Sequence, residues 1–178
     1  MSSYTVRTLQ PDDHAAIMAL EQRIFGDEPP GVLGPYYVRL CCDQFADCCF
    51  VALCDGVPVA YLLSFVRDRE AHCTTLAVVP EHQGSRAVVT LIRAFLARII
   101  GQVDICWFTV TPDNTAARAL HATLGAREVA THLHYYASGD RRLVSCIDAE
   151  RFGALRPRYE RLGLLEPRPR LLEAAPCV

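Results

Sequence analysis

The sequence predicts an α/β (α+β) fold, a mixed sheet with a strand–helix–strand unit at its centre. Three observations carry this expectation. Apolar runs of strand length alternate with stretches of helical period along the 178 residues. The dipeptide Asp55-Gly56 joins two β-rich runs, a strong antiparallel hairpin signal. An apolar run ending at Pro80 turns through Gln83, Gly84 and Ser85 into an amphipathic helix, with Val88, Ile92, Phe95, Leu96 and Ile99 on one face.

The elements follow in order. Residues 4–9 alternate as a strand. Pro11 and Asp12 open a helix through Ile24, with Ile17, Leu20 and Ile24 facing the core. Residues 26–34 are rich in Gly and Pro and read as a loop. Pro35 fits a helix start, and Tyr36, Tyr37, Leu40, Cys41 and Phe45 form its apolar stripe. Residues 48–54 and 57–66 are the hairpin strands, and 71–79 a third. The next helix runs to about Ile100 and stops at Gly101, a residue suited to the position after a helix. Residues 103–110 form a strand and 114–124 a short helix closed by Gly125. A last hairpin turns at Gly139-Asp140. Asp148 caps a final helix, interrupted near Pro157, and the tail from Glu166 is loosely ordered.

Composition excludes several classes. Hydrophobic residues make up 51% and charged residues 21%, as in a globular protein with one proper core. The net charge of -2 gives no bulk grip on nucleic acid or an anionic membrane. No apolar run approaches the roughly 18 residues that span a bilayer. The nine cysteines are odd in number and follow no basic-plus-apolar leader, so a cytoplasmic location is expected rather than a disulfide scaffold. Adjacent pairs such as Cys41-Cys42 and Cys48-Cys49 lack metal-ligand spacing and read as small buried apolar residues, with no metal expected.

The central turn carries the functional signal. Small residues leading into a helix N-terminus leave backbone N–H groups free, and these and the helix dipole favour a bound phosphate. With TVTPDNTAARALHATLGA downstream and the antiparallel hairpin upstream, the chain resembles the GNAT superfamily of acyl-CoA-dependent N-acyltransferases over residues 4–136. The resemblance implies a mostly antiparallel six- to seven-stranded sheet spanning 1–147, with 148–178 as a helix and tail on the same domain. It also implies acetyl-CoA as donor and direct attack by an amine. Gln83 and Gly84 match the family's Arg/Gln-x-x-Gly-x-Gly/Ala turn. Arg86 and Val88 stand where the family has Gly and Gly or Ala. Glycine there admits phosphate close to the backbone, whereas Arg86 offers a guanidinium.

Carried over residue by residue, the resemblance places the cofactor against Leu76, Ala77, Val78, Gln83, Gly84, Ser85, Arg86, Ala87 and Val88, with Asn114 and Ala117 across from the acyl arm. The chemistry needs three things. The amine must lose a proton, being almost wholly protonated at pH 7. The carbonyl oxygen needs fixed donors as it gains charge. The thiolate benefits from an acid. His121 stands where many relatives carry a Tyr acid. Glu70 and His72 are the candidate bases, and with Thr74 they alternate onto one strand face. Asp27, Glu28, Tyr36, Tyr37, Arg39 and Asp43 precede the second strand and suit an amine or a substrate carboxylate. Tyr135 and Tyr136 of the sixth strand read as core and edge residues, with reach toward the site as the alternative.

The segment PYYVRLCCDQFADCCFVA is also similar to the matching region of diaminobutyrate acetyltransferases, which points to a small amino acid or diamine. The expected substrate is therefore a small-molecule primary amine, handled by a chain that pairs as a homodimer as many relatives do. Three alternatives stand beside it: acylation of a protein N-terminus or side chain, a non-catalytic acyl-CoA-binding or regulatory domain, and use of an acyl-carrier protein as donor.

Overall fold

The computed structural model describes residues 3–26 and 32–167. β1 (Tyr4–Thr8) leads through a 3-10 turn into α1 (His14–Phe25), and α2 (Pro35–Asp43) follows. β2 (Phe50–Cys54), β3 (Val57–Arg67) and β4 (Glu70–Val78) form an antiparallel meander. α3 (Arg86–Ile99) crosses over to β5 (Ile105–Val110), which lies parallel to β4. α4 (Thr115–Thr123), β6 (Arg127–Leu133), β7 (Arg141–Asp148) and α5 (Ala149–Arg161) complete the chain. The seven strands make one sheet in the order β1-β2-β3-β4-β5-β7-β6. Only β4 and β5 run parallel, so the expected mixed, mostly antiparallel sheet is present.

Both faces of the sheet are covered. Six successive residues of β3, from Val59 to Ser64, are all buried, and neighbours along a strand point to opposite faces. α1 and α2 pack against β3, where Tyr61 donates a hydrogen bond to the carboxylate of Glu21 on α1. α3 lies across β1 to β4 and buries Ala87, Leu91, Ile92, Phe95, Leu96 and Ile99. Each large aliphatic or aromatic side chain buried this way contributes about 1.5–3 kcal/mol. α5 packs on β7 and the end of α4, where the Tyr159 hydroxyl donates to Leu124 O. No helix among the described residues is long and apolar enough to cross a membrane.

Several local expectations are corrected. Val88 is only partly buried, and Leu91 and Ala87 complete the α3 face. α2 turns Val38, Cys41 and Cys42 inward and leaves Tyr36 77% exposed. Cys48 lies in a 3-10 turn before β2. α5 runs unbroken through Pro157. Pro157 and Gly153, whose carbonyl loses its helical partner there, are both exposed, so that carbonyl lies at the solvent-facing side of the helix. Asp27, Glu28 and the tail after Pro167 lie outside the described residues.

Candidate active site

The sheet opens at its centre. β4 and β5 pair from Glu70↔Ile105 to Cys73↔Phe108 and no further, although β4 continues to Val78 and β5 to Val110. The strands part at a bulge. Leu63 faces Thr75 while Ser64 faces Cys73, which makes Thr74 the extra residue. β3 keeps its pairing with β4 beyond this point. Because Val79 N donates to Val59 O, alternation directs the backbone groups of Leu76 and Val78 away from β3 and into the gap. The result is a slot whose wall carries free N–H and C=O groups, suited to an extended chain with amides of its own.

One end of the slot meets the N-terminus of α3. Gln83 N donates to Pro80 O and Ser85 N to His82 O. Ser85 caps the helix, its Oγ accepting from Ala87 N at 3.2 Å. The N–H groups of Gly84, Arg86 and Val88 are left without an intramolecular acceptor, two of them because a helix cannot bond its first turn. Gly84 sits at φ +72, and a Cβ there would meet nothing within 4 Å. The glycine is therefore needed for backbone conformation. Arg86 is exposed and has no ion-pair partner among the described residues. Free N–H groups at a helix N-terminus with an exposed guanidinium beside them are suited to an anion. Opposite, Asn114 caps α4, its Oδ1 accepting from Ala117 N at 3.0 Å, which leaves its amide NH2 free. A cavity of about 370 Å³ opens where β5 ends, lined by Thr111, Pro112, Asp113, Gly139, Asp140 and Arg141.

The histidines occupy opposite faces at the point where the strands part. Trp107 pairs with His72 and Phe108 with Cys73, and these neighbours on β5 face opposite ways. On the Trp107 face, the His72 ring stacks on Phe65 at 4.7 Å, and the Trp107 indole N–H donates to Glu70 Oε2 at 2.7 Å. Burial lowers the pKa of His72 below its ordinary value, opposed by the charge of Glu70. His72 is therefore a neutral imidazole at pH 7 and able to accept a proton. On the Phe108 face, the His121 ring lies over Phe108 at 4.6 Å, with Nδ1 3.4 Å from Ser145 Oγ. Burial pushes its pKa down to about 4, against the opposing charge of Glu128. His121 is thus also neutral near pH 7 and offers a ring N–H rather than an imidazolium.

The substrate candidates of α2 divide. Tyr37 bonds Thr74 Oγ1 at 2.5 Å, and Thr74 Oγ1 donates to Leu63 O across the bulge. Burial raises the Tyr37 pKa well above its ordinary value, so the phenol stays neutral. Arg39 is turned away, donating to Pro11 O at 2.8 Å and pairing with Asp43. Tyr36 and Arg39 are thus not brought to the slot with Tyr37 and Thr74. Three groups join the site that residue types alone did not single out. Trp107 holds Glu70, Phe65 holds His72, and Thr109 Oγ1 lies 3.2 Å from the Tyr136 hydroxyl. Their signal is positional: Trp107 and Thr109 alternate onto one face of β5.

A slot between parting strands, with free N–H groups at one end, suits an extended donor that carries an anionic group. Residues 15–126 match the model of the Acetyltransferase (GNAT) family, more than half of the chain, and the chain belongs to this family of acyltransferases. Solved structures share the fold. The ribosomal-protein-S18-alanine N-acetyltransferase from Escherichia coli has a TM-score of 0.71 and 21% identity, over 83% of this chain and 94% of that one. Diaminobutyrate acetyltransferase EctA from Paenibacillus lautus, in complex with L-2,4-diaminobutyric acid and coenzyme A, has 0.68 and 17%, over 84% and 96%. Arabidopsis thaliana Naa50 with a bisubstrate analogue has 0.70 and 14%, over 82% and 99%. No curated protein matches the chain.

Proposed function

We propose that this protein transfers an acetyl group from acetyl-CoA to the primary amine of a small molecule, by direct attack in a ternary complex. Acetyl-CoA supplies the acyl thioester. The N–H groups of Gly84, Arg86 and Val88 hold its pyrophosphate, with the Arg86 side chain adding charge. The backbone of Leu76 and Val78 holds the pantetheine amides, and Asn114 and Ala117 close the other side. The amine enters from the face of Tyr37, Thr74 and Trp107. His72 takes one proton from the ammonium, and the freed lone pair bonds to the carbonyl carbon while N–H groups of the slot stabilise the charge on the carbonyl oxygen; the second proton passes from nitrogen to the departing thiolate as the intermediate collapses. The carbon–sulfur bond then breaks, and the His121 N–H bonds the departing sulfur on the other face.

The observation that carries this reading is the slot itself, floored by unpaired β4 backbone and ending at free N–H groups. The neighbours with coenzyme A or acetyl-CoA named in their structures support the donor. A second reading, acetylation of a protein N-terminus, is favoured by the hairpin between β6 and β7. It exposes Tyr135 and Tyr136 by 44% and 64% beside the slot, broad aromatic surface for a peptide.

The deciding experiment is acetyl-CoA turnover against two panels, small primary amines including 2,4-diaminobutyrate and peptides with free N-termini. Turnover with small amines at saturable concentrations is expected. Turnover with peptides alone moves the assignment to protein N-termini. CoA binding without turnover in either panel removes the enzyme reading and leaves an acyl-CoA-binding domain.

A further inference from the structure

Trp107 is the only tryptophan in the chain. Its indole N–H donates to Glu70 Oε2 at 2.7 Å, and the same oxygen lies 3.9 Å from Nε2 of His72. That second distance is outside hydrogen-bond reach. The arrangement follows from register. Trp107 stands beside His72 across the parallel pair, and Glu70 precedes His72 by two residues on the same face. The Phe65 stack fixes the imidazole from the other side, at an interplanar angle of 13°. Both members of the Glu70–His72 couple are thus held, and held apart.

We infer that Trp107 is a positioning residue that keeps the Glu70 carboxylate at a stand-off from His72, close enough to favour proton uptake and too far to occupy Nε2. This rests on the reading of His72 as the base. A carboxylate free to rotate closes on an adjacent imidazole and forms a charge-assisted hydrogen bond. That bond raises the basicity of the ring but takes away the nitrogen that must meet the amine. With no carboxylate at all, burial alone leaves His72 a weaker base. The indole N–H selects the state between these two.

The other groups facing His72 leave Glu70 as its charged neighbour. β3 presents Phe65, itself packed on Phe45, and β5 presents Trp107. Arg67, further along β3, pairs with Asp68. Tyr37, which reaches the neighbouring Thr74 from α2, is neutral.

The test follows the titration of His72 by NMR, beside the acidic limb of the kcat/KM profile. Glu70→Gln keeps an acceptor oxygen for the indole and removes the charge. It is expected to lower the His72 midpoint by about 0.7 in pH or more, the effect of unit charges at about 4 Å in bulk water. Trp107→Phe keeps a packed ring and removes the donor. It is expected to move the midpoint the opposite way, upward, while lowering kcat. A purely structural role for Trp107 leaves the midpoint in place, and that result overturns the stand-off. So does a shift in the same direction as Glu70→Gln. Should Trp107→Phe not fold, Glu70→Gln carries the test alone, and an unmoved His72 overturns the inference. His72→Asn separates the two layers. If the acidic limb survives it, His72 is not the base, while the NMR titrations still report the stand-off.

Discussion

Gly84 offers a substitution in which backbone strain and charge can be measured apart. It sits at φ +72, and a Cβ there meets nothing within 4 Å, so any side chain incurs backbone strain without a packing clash. A left-handed conformation costs an L-residue about 1–2 kcal/mol. In a chain of this length that lowers Tm by about 2–8 °C. Gly84→Ala and Gly84→Glu should therefore unfold at similar temperatures, both below wild type. They should differ in binding. If the Gly84 N–H holds the pyrophosphate as proposed, a carboxylate on that residue adds repulsion of about 1 kcal/mol even in the fully solvated limit. That is roughly a five-fold further loss of affinity for Gly84→Glu beyond Gly84→Ala. Calorimetric titration with CoA measures it, and KM for acetyl-CoA should follow. The gap should narrow as salt rises, because exposed charges are screened. Equal CoA affinity in the two variants would refute the placement of the phosphates at this turn.

Substitutions at two further positions test other parts of the structure. His121→Phe should lower kcat by roughly 10²-fold, the lower end for a lost proton donor, and His121→Tyr, which restores the residue many relatives carry, should recover much of it. Because burial holds the His121 pKa near 4, kcat should show no inflection from this residue between pH 6 and 8; an inflection that disappears in His121→Phe would contradict a neutral donor. Glu21 is buried with its pKa raised by desolvation. A raised folded-state pKa means stability that is complete below the unfolded value of about 4.3 and is lost as pH rises through the folded value. Glu21→Gln should thus gain on wild type in urea unfolding between pH 4 and pH 7, and a constant difference would contradict the shift.

The fold was legible where local pattern and tertiary role coincide. The Asp55-Gly56 hairpin, the Gly101 stop after α3, the Asp148 cap and the turn at Gly139 each depend on a few adjacent residues, and each is present. Faces were harder to read. Tyr36 and Tyr37 differ by one helical step, and composition cannot say which of them meets Thr74. Glu21, a charged residue of α1, is buried against partners from distant chain, Tyr61 and the Leu33 N–H, which no local pattern announces. Of the candidate site, the Gln83-Gly84-Ser85 turn into a helix was legible as backbone pattern. The site was not legible as chemistry. The bulge at Thr74 shifts the register of β4, so simple alternation could not carry the face of Glu70 and His72 across to Leu76 and Val78. Trp107 became a site residue only once β5 was known to lie parallel to β4.

That parallel pairing also shows how two half-buried histidines could serve one reaction without interfering. Trp107 and Phe108 are neighbours on β5, so the groups they carry, Glu70 with His72 and His121, are separated by the thickness of the sheet. In the proposed reaction an amine deprotonated on one face would attack a carbonyl held in the slot, and the sulfur would depart on the other. Neither histidine needs to be charged at the start, which fits the downward shift of both. The sheet would keep the two faces apart if β4 and β5 stayed paired to their ends. The extra residue at Thr74 marks where they part, and Tyr37 holds that residue from α2. The bulge therefore does more than bend a strand: it marks where the β4–β5 pairing ends and both faces of the sheet gain access to the slot.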